Sequence, residues 1–406
     1  MNYIGIDVSK STSRYVLLDN DGEHSVKPFS LNNDNQGFEK LLTRIKELNL
    51  TPENVLLGIE ATGIWWENLY CLLTGKHFKV IVLNPHQTNK YREALRFKAK
   101  TDDIDAYVIA GLLRSGKYAA SYIPEETIQI LREITKLRFQ LVKDRQNYER
   151  QTCSLLALLF PEYPSTALKN PFAVASLAIL KVYPTAKHLA EAKPKHIEKI
   201  VRSIKGNNFN IAEIQSLINI AQRSIYSGRA KHDRGLNLNI LLTQVETTAN
   251  AIALLDERTN SILSPSDPDD ANSFPGANLL TIPGVGPKTL AAVLSAVGSN
   301  GQAFPDGKHL IGHIGFFPQI YESGETRHDN AISHRGPKYL RRALYIAAVA
   351  CLKHNDEFKA LYDRKVSQGK TAKQALVYVA KKLAHLCLSM LKSGESYNPS
   401  RVFMPA

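Results

Sequence analysis

The chain is poor in cysteine, in acidic residues and in long apolar runs. Its four cysteines are scattered over 406 residues, without zinc-site spacing, in helix-like and mostly apolar contexts: Cys71, Cys153, Cys351 and Cys387. We expect them to be reduced core residues of a cytoplasmic protein. No apolar run is long enough to span a bilayer, so we expect no membrane partner, and the N-terminus opens as a strand rather than as a signal peptide.

The shortage of acidic residues gives the chain a strong positive charge. It has 51 Lys and Arg against 38 Asp and Glu, a formal net charge of +13. This excess favours a polyanionic partner, with nucleic acid ahead of an anionic membrane. A hydrophobic content of 44% is ordinary for a globular protein, and a chain of this length can form two or three domains.

The first part of the chain alternates between strand and helix patterns. Strands are predicted at residues 2–9, 13–19, 24–29, 55–60 and 79–83, and helices at residues 37–48, at 64–73 and from Thr101 onward. We therefore expect a mixed α/β domain with an antiparallel start.

The helix that starts at Thr101 carries three acidic residues in its first turn. Thr101 is a good N-cap, and acidic side chains are favoured beside it. Asp102 and Asp105 share one helix face, whereas Asp103 is turned away from them. Two carboxylates on one face repel each other unless a cation lies between them. The pair indicates half of a metal site, although a solvated helix start would look the same.

Two further carboxylates lie at predicted strand ends. Asp7 ends the first strand and Glu60 ends the fourth, and strand ends collect at one edge of an open sheet. Together with Asp102 and Asp105 they would hold two hard divalent cations, Mg²⁺ or Mn²⁺. Paired metals can activate an attacking oxygen and stabilise a leaving one at a phosphodiester. Taken alone, Asp7 is more often a cap or turn residue.

The middle of the chain is helical. A long helix at residues 127–160 has a basic face, which is either solvated or bound to phosphates. Residues 236–263 show a 3.5-residue apolar spacing that suits a short coiled coil and self-association, or a helix packed within one chain. Residues 264–276 are rich in Pro, Ser and Asp and predict a linker.

The C-terminal part combines a glycine turn, a loop serine and a basic cluster. Gly284 and Gly286, followed by Lys288, are typical of a helix-hairpin-helix module that binds a phosphate, or of a simple tight turn. Ser323 in Glu-Ser-Gly is a candidate nucleophile, with Ser333 as the fallback. The neighbouring cations would neutralise a phosphate in the transition state: Arg327, Arg335, Lys338, Arg341 and Arg342.

Motifs at both ends of the chain resemble the DEDD insertion-sequence transposases related to the pilin-gene invertases, recombinases guided by a bridge RNA. At the N-terminal end these are Ile4-Gly-Ile-Asp7-Val, Glu60-Ala-Thr-Gly63 and Lys100-Thr-Asp102-Asp-Ile-Asp105-Ala. At the C-terminal end they are Ile282-Pro-Gly-Val-Gly-Pro287, Glu322-Ser323-Gly324, Ile332-Ser-His-Arg-Gly336 and Leu340-Arg-Arg-Ala-Leu344. Residues 161–235 match nothing that we can align.

The resemblance implies a RuvC-like, RNase H-type domain whose DEDD set is Asp7, Glu60, Asp102 and Asp105. It also implies a serine nucleophile that forms a transient phosphoserine link to DNA, at the position of Ser323. Donor and target DNA, a non-coding guide RNA and a homo-oligomer (dimer or tetramer) with a composite active site are the implied partners.

We expect four segments: a RuvC-like DEDD domain that ends in a long basic helix (1–160), a helical and coiled-coil region (161–263), a linker (264–276) and a helical transposase domain (277–406). The predicted function is metal-dependent DNA strand cleavage and exchange. A nuclease or junction resolvase, in which water attacks, is the alternative. Residues 4–12 also resemble the phosphate loop of sugar-kinase and actin-like ATPases, but the sequence shows no second phosphate loop. A purely structural nucleic-acid-binding protein would leave the acidic residues unexplained.

Overall fold

The computed structural model describes residues 1–97, 101–204, 209–264, 274–323, 326–333 and 336–403, and for residues 318–323, 326–332 and 401 it describes the backbone alone. The chain forms two compact units, Met1–Ile123 and Pro124–Ala406. The predicted boundary at residue 160 differs from this division, because the long helix that ends there packs on helices of the second unit.

The first unit is built on a five-stranded mixed sheet. Its elements are β1 (Asn2–Val8), β2 (Thr12–Leu18), β3 (Phe29–Asn32), α1 (Asn35–Glu47), β4 (Val55–Glu60), α2 (Trp66–Gly75), β5 (Lys79–Leu83), α3 (Pro85–Ala94) and α4 (Asp102–Ser115). The strand order is β3-β2-β1-β4-β5. The β1–β2 and β2–β3 pairs are antiparallel, and the β1–β4 and β4–β5 pairs are parallel. The expected mixed α/β class with an antiparallel start is confirmed.

The two faces of this sheet are covered by different helices. Alternate residues of the central strands, such as Ile6 and Ile59, form one core with Leu41 of α1 and Leu73 of α2. The opposite face packs on α4, where Ile109 shares a cluster with Leu56 and Leu83. Residues of β1 and β4 that face α4 therefore include Gly5 and Asp7, and Gly58 and Glu60.

The third strand lies later in the chain than expected. β3 begins at Phe29, which pairs with Tyr15, and His24 makes only an isolated bridge to Leu18. The Asp19 carboxylate accepts hydrogen bonds from the amides of residues 21–23, so the chain forms a loop there instead of a tight two-residue hairpin. The predicted strand at residues 24–29 was wrong for this reason.

The second unit is mostly helical. Its elements are α5 (Glu126–Leu159), α6 (Val174–Val182), α7 (Ala186–Ala190), α8 (Pro194–Arg202), α9 (Ile211–Gln222), α10 (Lys231–Ile262), α11 (Pro287–Val297), α12 (Gly307–Ile314), β6 (Pro318–Ser323), β7 (Thr326–Ile332), α13 (Lys338–His354), α14 (Asp356–Ser367) and α15 (Ala372–Ser393), with short 3₁₀ turns at Tyr163–Ser165, Ala277–Thr281 and Pro399–Val402. β6 and β7 form an antiparallel pair. A capping box formed by Thr371 and Gln374 starts α15.

The apolar residues that recur at a 3.5-residue spacing in α10 pack against α5 of the same chain. Leu238 and Leu242 share a core with Leu156 near the end of α5, while Asp256 contacts Arg138 near its start, so the two helices are antiparallel. Leu242 is fully buried, whereas its neighbour Leu241 is only partly buried. The spacing is therefore accounted for within one chain.

The cysteines divide into two pairs by exposure. Cys351 and Cys387 lie in the core of the C-terminal helices, and burial raises the pKa of each thiol to about 12. Cys71 and Cys153 are exposed, so the expectation of core positions was wrong for these two. All four are free thiols. Within the part of the chain that the structure describes, none of the helices is both long and apolar enough to cross a membrane.

Candidate active site

Asp7 and Glu60 lie at the carboxyl ends of adjacent parallel strands. The β1–β4 register pairs Gly5 with Gly58 and Ile6 with Ile59, so the next step places Asp7 beside Glu60. Because side chains alternate along a strand, both carboxylates lie on the same face as Gly5 and Gly58, which is the face that α4 covers. The edge defined by Asp7, Glu60, Asp102 and Asp105 is called the carboxylate edge below.

The first turn of α4 adds the other two carboxylates. Thr101 is the N-cap, and its hydroxyl accepts a hydrogen bond from the amide of Ile104 at 3.3 Å. A Cβ on Gly5 would meet backbone atoms of Ala106 and Ala110, so α4 rests directly on β1. Arg114, near the carboxyl end of α4, donates to the carbonyls of Asn20 and Asp21. These residues follow β2, whose last residue Leu18 pairs with Tyr3 at the amino end of β1. The amino end of α4 therefore lies over the carboxyl end of β1.

Asp103 contacts a different group from its neighbours. Its carboxylate forms an ion pair with Arg14 of β2, the residue that pairs with Asp7 across the β1–β2 ladder. Its side chain is half exposed, whereas that of Asp105 is 13% exposed. Asp102 is exposed as well, so the turning of Asp103 away from the face shared by Asp102 and Asp105 stays a prediction.

Glu60 is held by two hydroxyl groups. Its Oε1 accepts a hydrogen bond from Thr62 Oγ1 at 2.5 Å, and its Oε2 accepts one from Thr88 Oγ1. Thr62 is exposed, but Thr88 is only 1% exposed. Hydrogen bonds to an ionised carboxylate are stronger than those between neutral groups. They fix the orientation of the carboxylate at the end of β4.

Asp105 is paired with a guanidinium. Arg92 of α3 contacts Asp105 Oδ1 through Nη2 at 2.7 Å, and both side chains are largely buried, at 16% and 13% exposure. Two carboxylates on one helix face repel each other unless a cation lies beside them. In this structure Arg92 of α3 supplies a cation to Asp105.

The chemistry of the four side chains fits a hard divalent cation, since all of them offer carboxylate oxygens. Asp7 and Glu60 lie at adjacent strand ends on one face of the sheet, and Asp102 and Asp105 lie in the first turn of the helix that packs on that face. Over the residues that the structure describes, no three His, Cys, Asp or Glu side chains form a closed ligand cluster. Hydroxyl and guanidinium groups of the protein contact Glu60 and Asp105 instead.

Thr88 and Arg92 lie in a segment, residues 84–97, to which the sequence patterns above assigned no element. The signal was present, because Asn84 followed by Pro85 is a typical helix start. In the structure Asn84 is the N-cap of α3, and its side chain accepts a hydrogen bond from the amide of His86. The contacts with Glu60 and Asp105 are long-range, so no local pattern could have indicated them.

The candidate serines lie in different surroundings. Ser323 is the last residue of β6 and pairs with Thr326, the first residue of β7. Its side chain, like that of Arg327, lies outside the described atoms, and residues 324, 325, 334 and 335 (Arg335 among them) lie outside the described residues. Ser333 is fully buried, and its amide donates a hydrogen bond to the Phe317 carbonyl at 2.8 Å. Its burial makes Ser333 the weaker candidate.

The basic residues at the start of α13 contact different groups. Lys338, the first residue of the helix, is exposed. Arg341 donates from Nη1 to the Ile314 carbonyl at 2.7 Å, at the carboxyl end of α12, so it contributes to packing. The Arg342 guanidinium lies 5.9 Å from the centre of the Phe139 ring.

In the glycine turn before α11, Gly284 is packed closely against α13, whereas Gly286 has open space around it. Gly284 has a φ of +101°, and a Cβ there would lie 2.7 Å from the backbone nitrogen of Cys351. Gly284 is therefore required by the close approach of α13. Gly286 is the N-cap of α11, and a Cβ on it would meet no neighbouring atom within 4 Å. Lys288 forms an ion pair with Asp256 at 2.8 Å but remains 58% exposed.

Several cations on the basic face of α5 have partners within the protein. Arg132 donates to the Ser295 carbonyl at 2.8 Å, Arg138 pairs with Asp256 and Arg145 pairs with Glu149. These contacts favour a structural role for this part of the helix over binding to a phosphate backbone.

Comparisons with known families match both ends of the chain. Residues 4–161 match a DEDD model of the IS110 type that is described as a transposase, and residues 276–363 match a model described as transposase IS116/IS110/IS902 family. The first match contains the whole carboxylate edge. The second contains Ser323, Ser333 and the basic residues of the C-terminal part.

Curated relatives extend the similarity over nearly the whole chain. The pilin gene-inverting protein of Moraxella bovis is 24% identical over 403 residues, which cover 98% of this chain and 97% of the relative. A mini-circle putative transposase for IS117 of Streptomyces coelicolor is 26% identical, over 99% and 97% of the two chains. An IS110 insertion-element protein of the same organism is 34% identical, but over 29% of each chain.

Proposed function

We propose a mechanism in which the carboxylate edge holds Mg²⁺ or Mn²⁺ and a serine attacks the DNA. The chain belongs to the IS116/IS110/IS902 family of transposases and is therefore a DNA transposase or recombinase. The carrying observation is that Asp7 and Glu60, at adjacent strand ends, share the sheet face onto which the first turn of α4 packs. The strand order, with antiparallel β1–β2–β3 beside parallel β1–β4–β5, supports an RNase H-type, RuvC-like domain.

The four carboxylates have distinct positions around the proposed ions. Asp7 and Glu60 would offer oxygens from the sheet, and Asp102 and Asp105 from the start of α4. When bound, the ions would supply Lewis-acid activation of an oxygen nucleophile and stabilise a leaving oxygen. Thr62 and Thr88 keep the Glu60 carboxylate oriented, and Asp103 pairs with Arg14 and is not part of the proposed ligand set.

Serine attack accounts for the C-terminal part of the family match. Ser323 Oγ would attack the phosphorus of a phosphodiester and form a phosphoserine bond. The bond between phosphorus and the oxygen of one sugar breaks in the same step. The leaving sugar oxygen gains a proton and the serine loses one, so the step is balanced. A sugar hydroxyl of a second strand then attacks the phosphoserine and restores the serine. We assign the neutralisation of phosphate charge to Lys338, which is exposed at the amino end of α13, and to Arg327, Arg335 and Arg342, which lie near it in the sequence.

The proposal extends to partners. The resemblance to bridge-RNA-guided recombinases and the net charge of +13 support a non-coding guide RNA beside donor and target DNA. The relatives support moving or inverting a mobile element, since one of them is a gene-inverting protein and another a putative transposase. Oligomerisation and a composite active site remain proposals. RNA that copurifies with the chain, and loss of recombination after ribonuclease treatment, would test the guide.

Recombination assays on purified variants test the chemistry. We expect Asp102→Ala, Asp105→Ala and Ser323→Ala each to lower recombination by about 100-fold or more, because each removes a group from the reacting centre. Asp103→Asn is the matched control and should stay close to wild type, since Asp103 contacts Arg14.

The same variants separate serine attack from attack by water. Denaturation of the wild-type reaction should trap a covalent protein–DNA adduct, and Ser323→Ala should trap none. Strand cleavage without any adduct in the wild type would favour a nuclease or junction resolvase. Full activity of Asp105→Ala would instead remove the metal site from the proposal.

A further inference from the structure

Helix α3 lies beside the carboxylate edge and presents three side chains from one face. Thr88, Tyr91 and Arg92 are spaced i, i+3 and i+4, so they project in the same direction. Tyr91 donates a hydrogen bond to the Gly111 carbonyl of α4 at 3.2 Å, and a Cβ on Gly111 would lie 3.3 Å from its ring. This contact fixes α3 against α4.

The other two side chains contact the candidate metal ligands directly. Thr88 donates to Glu60 of β4, and Arg92 pairs with Asp105 of α4. Thr88 Oγ1 also lies 3.0 Å from the Pro85 carbonyl, but its single proton favours the charged carboxylate. Helix α3 thus contacts Glu60, a carboxylate of the sheet, and Asp105, a carboxylate of α4.

We propose that α3 sets the metal affinity of the carboxylate edge: Thr88 holds Glu60 in its ligand orientation, and Arg92 balances the charge of Asp105 until a divalent cation does so. This inference rests on the proposed function, because it requires the carboxylate edge to bind metal. Both are positioning residues, since they act through the carboxylates.

The two residues should act on metal affinity with opposite signs. Removing the Thr88 hydroxyl leaves Glu60 less well oriented, and the loss of such an outer partner costs about 10- to 100-fold in metal affinity. Removing Arg92 takes away the group that orients Asp105, which weakens metal binding. It also abolishes the repulsion between the guanidinium and a divalent ion bound at the same carboxylate, which strengthens metal binding. That repulsion corresponds to more than about 100-fold at a protein dielectric near 20. Repulsion therefore outweighs orientation for Arg92.

Manganese binding to the full chain tests this, with free Mn²⁺ counted by electron paramagnetic resonance. We expect Thr88→Val to weaken Mn²⁺ binding about tenfold and Thr88→Ser to restore it. Arg92→Gln should tighten binding about tenfold, whereas Arg92→Lys, which keeps the charge, should not. Lys90→Gln is the matched control on the same helix, because its ion pair with Glu93 is exposed at 61% and 55%.

Hydrogen exchange of the same proteins gives a second measurement that does not depend on activity. In EDTA, Arg92→Gln should exchange faster than wild type at the amides of the first turn of α4, because the ion pair between Arg92 and Asp105 is lost. Saturating Mn²⁺ should remove most of that difference. Peptides from α1, which packs on the opposite face of the same sheet, should exchange as in wild type, which shows that this unit of the variant is folded.

The outcomes distinguish the inference from the function on which it rests. If Asp105→Asn binds Mn²⁺ as wild type does, the carboxylate edge is not the metal site and both proposals fall. If Asp105→Asn loses binding while Thr88→Val and Arg92→Gln behave like Lys90→Gln, the metal site stands and the role of α3 is refuted. A change of the same sign in Thr88→Val and Arg92→Gln would also refute it, since that is what loosening of the fold alone would produce.

Discussion

Two glycines of the central strands determine how closely α4 approaches the sheet. A Cβ on Gly5 would lie 2.0 Å from the Ala106 carbonyl oxygen and 2.5 Å from the Ala110 nitrogen, both backbone atoms of α4. A Cβ on Gly58 would lie 2.7 Å from Leu113 Cδ1 and 2.9 Å from Ile109 Cγ2, which are side-chain atoms. Side-chain tips can rotate, whereas a helix backbone must shift as a whole.

The two glycines should therefore respond differently to alanine. We expect Gly5→Ala to lower the free energy of unfolding by about 2–4 kcal/mol and to weaken Mn²⁺ binding, because it pushes the first turn of α4 away from Asp7. Gly58→Ala should cost about 1 kcal/mol, and Gly75→Ala, where a Cβ meets no neighbour, should be close to neutral. Urea unfolding and Mn²⁺ titration provide the measurements. Equal losses in Gly5→Ala and Gly58→Ala would contradict the close backbone contact.

At the scale of residues, the sequence predicted the strand ends and the helix start at which the carboxylates lie, but not the side chains that contact them. Thr101, Asp102, Asp103 and Asp105 follow from local rules, because helix capping and the 3.6-residue period depend on neighbours in sequence. Thr88 lies 28 positions from Glu60, and only the packing of α3 brings them together. The serine followed from its Glu-Ser-Gly setting and the family resemblance, and its role stays a prediction.

At the scale of elements, an acidic residue joins three helices of the second unit. Asp256 of α10 binds Arg138 of α5, and it also binds Lys288 of α11 at 2.8 Å. Burial raises the pKa of Asp256, but the hydrogen bonds from the two cations outweigh it and hold the pKa below its usual value of 3.8. The ionised form is therefore stabilised by folding.

Asp256→Asn should lower the free energy of unfolding by about 1–3 kcal/mol at pH 7, because two cations lose their counter-charge. A carboxylate with a depressed folded pKa stabilises the fold above its unfolded pKa and loses that contribution as pH falls through the folded value. The difference between variant and wild type should thus shrink below about pH 3.8. Urea midpoints at pH 7 and pH 3 measure it.

The exposed pair of Lys181 and Glu246 offers a matched control for Asp256. Its side chains are 32% and 47% exposed, so Glu246→Gln should change the urea midpoint little at either pH. A variant of Asp256 that behaves like this control would show that the contact among the three helices is not stabilising.

Elements with strong local signals were predicted with the observed bounds. β4 and β5 are short buried strands flanked by breakers, and both occur where expected, at residues 55–60 and 79–83. The 3.5-residue spacing of α10 was ambiguous, because a helix partner in the same chain and one in a second chain require the same apolar stripe. In the structure this stripe packs on α5 of the same chain, and self-association through α10 stays a prediction.

At the scale of the whole molecule, the carboxylates and the serine belong to different compact units, Met1–Ile123 and Pro124–Ala406. The sequence does not indicate whether one reaction centre combines carboxylates and serine of the same chain or of two different chains. The composite site implied by the family resemblance requires two chains. Activity measured in mixtures of variant chains separates these two possibilities, whatever the arrangement of the units.

Mixing two inactive variants is the direct test. If the site combines the carboxylates of one chain with Ser323 of another, equal amounts of Asp105→Ala and Ser323→Ala should recover activity. Half of the dimers are then mixed and each has one intact site, so about a quarter of all sites are intact. Asp105→Ala mixed with Glu60→Ala should recover none, because both defects lie in the same part of the site. Tagged chains that copurify would verify that subunits exchange. No recovery despite exchange would place both groups of one reaction centre in a single chain.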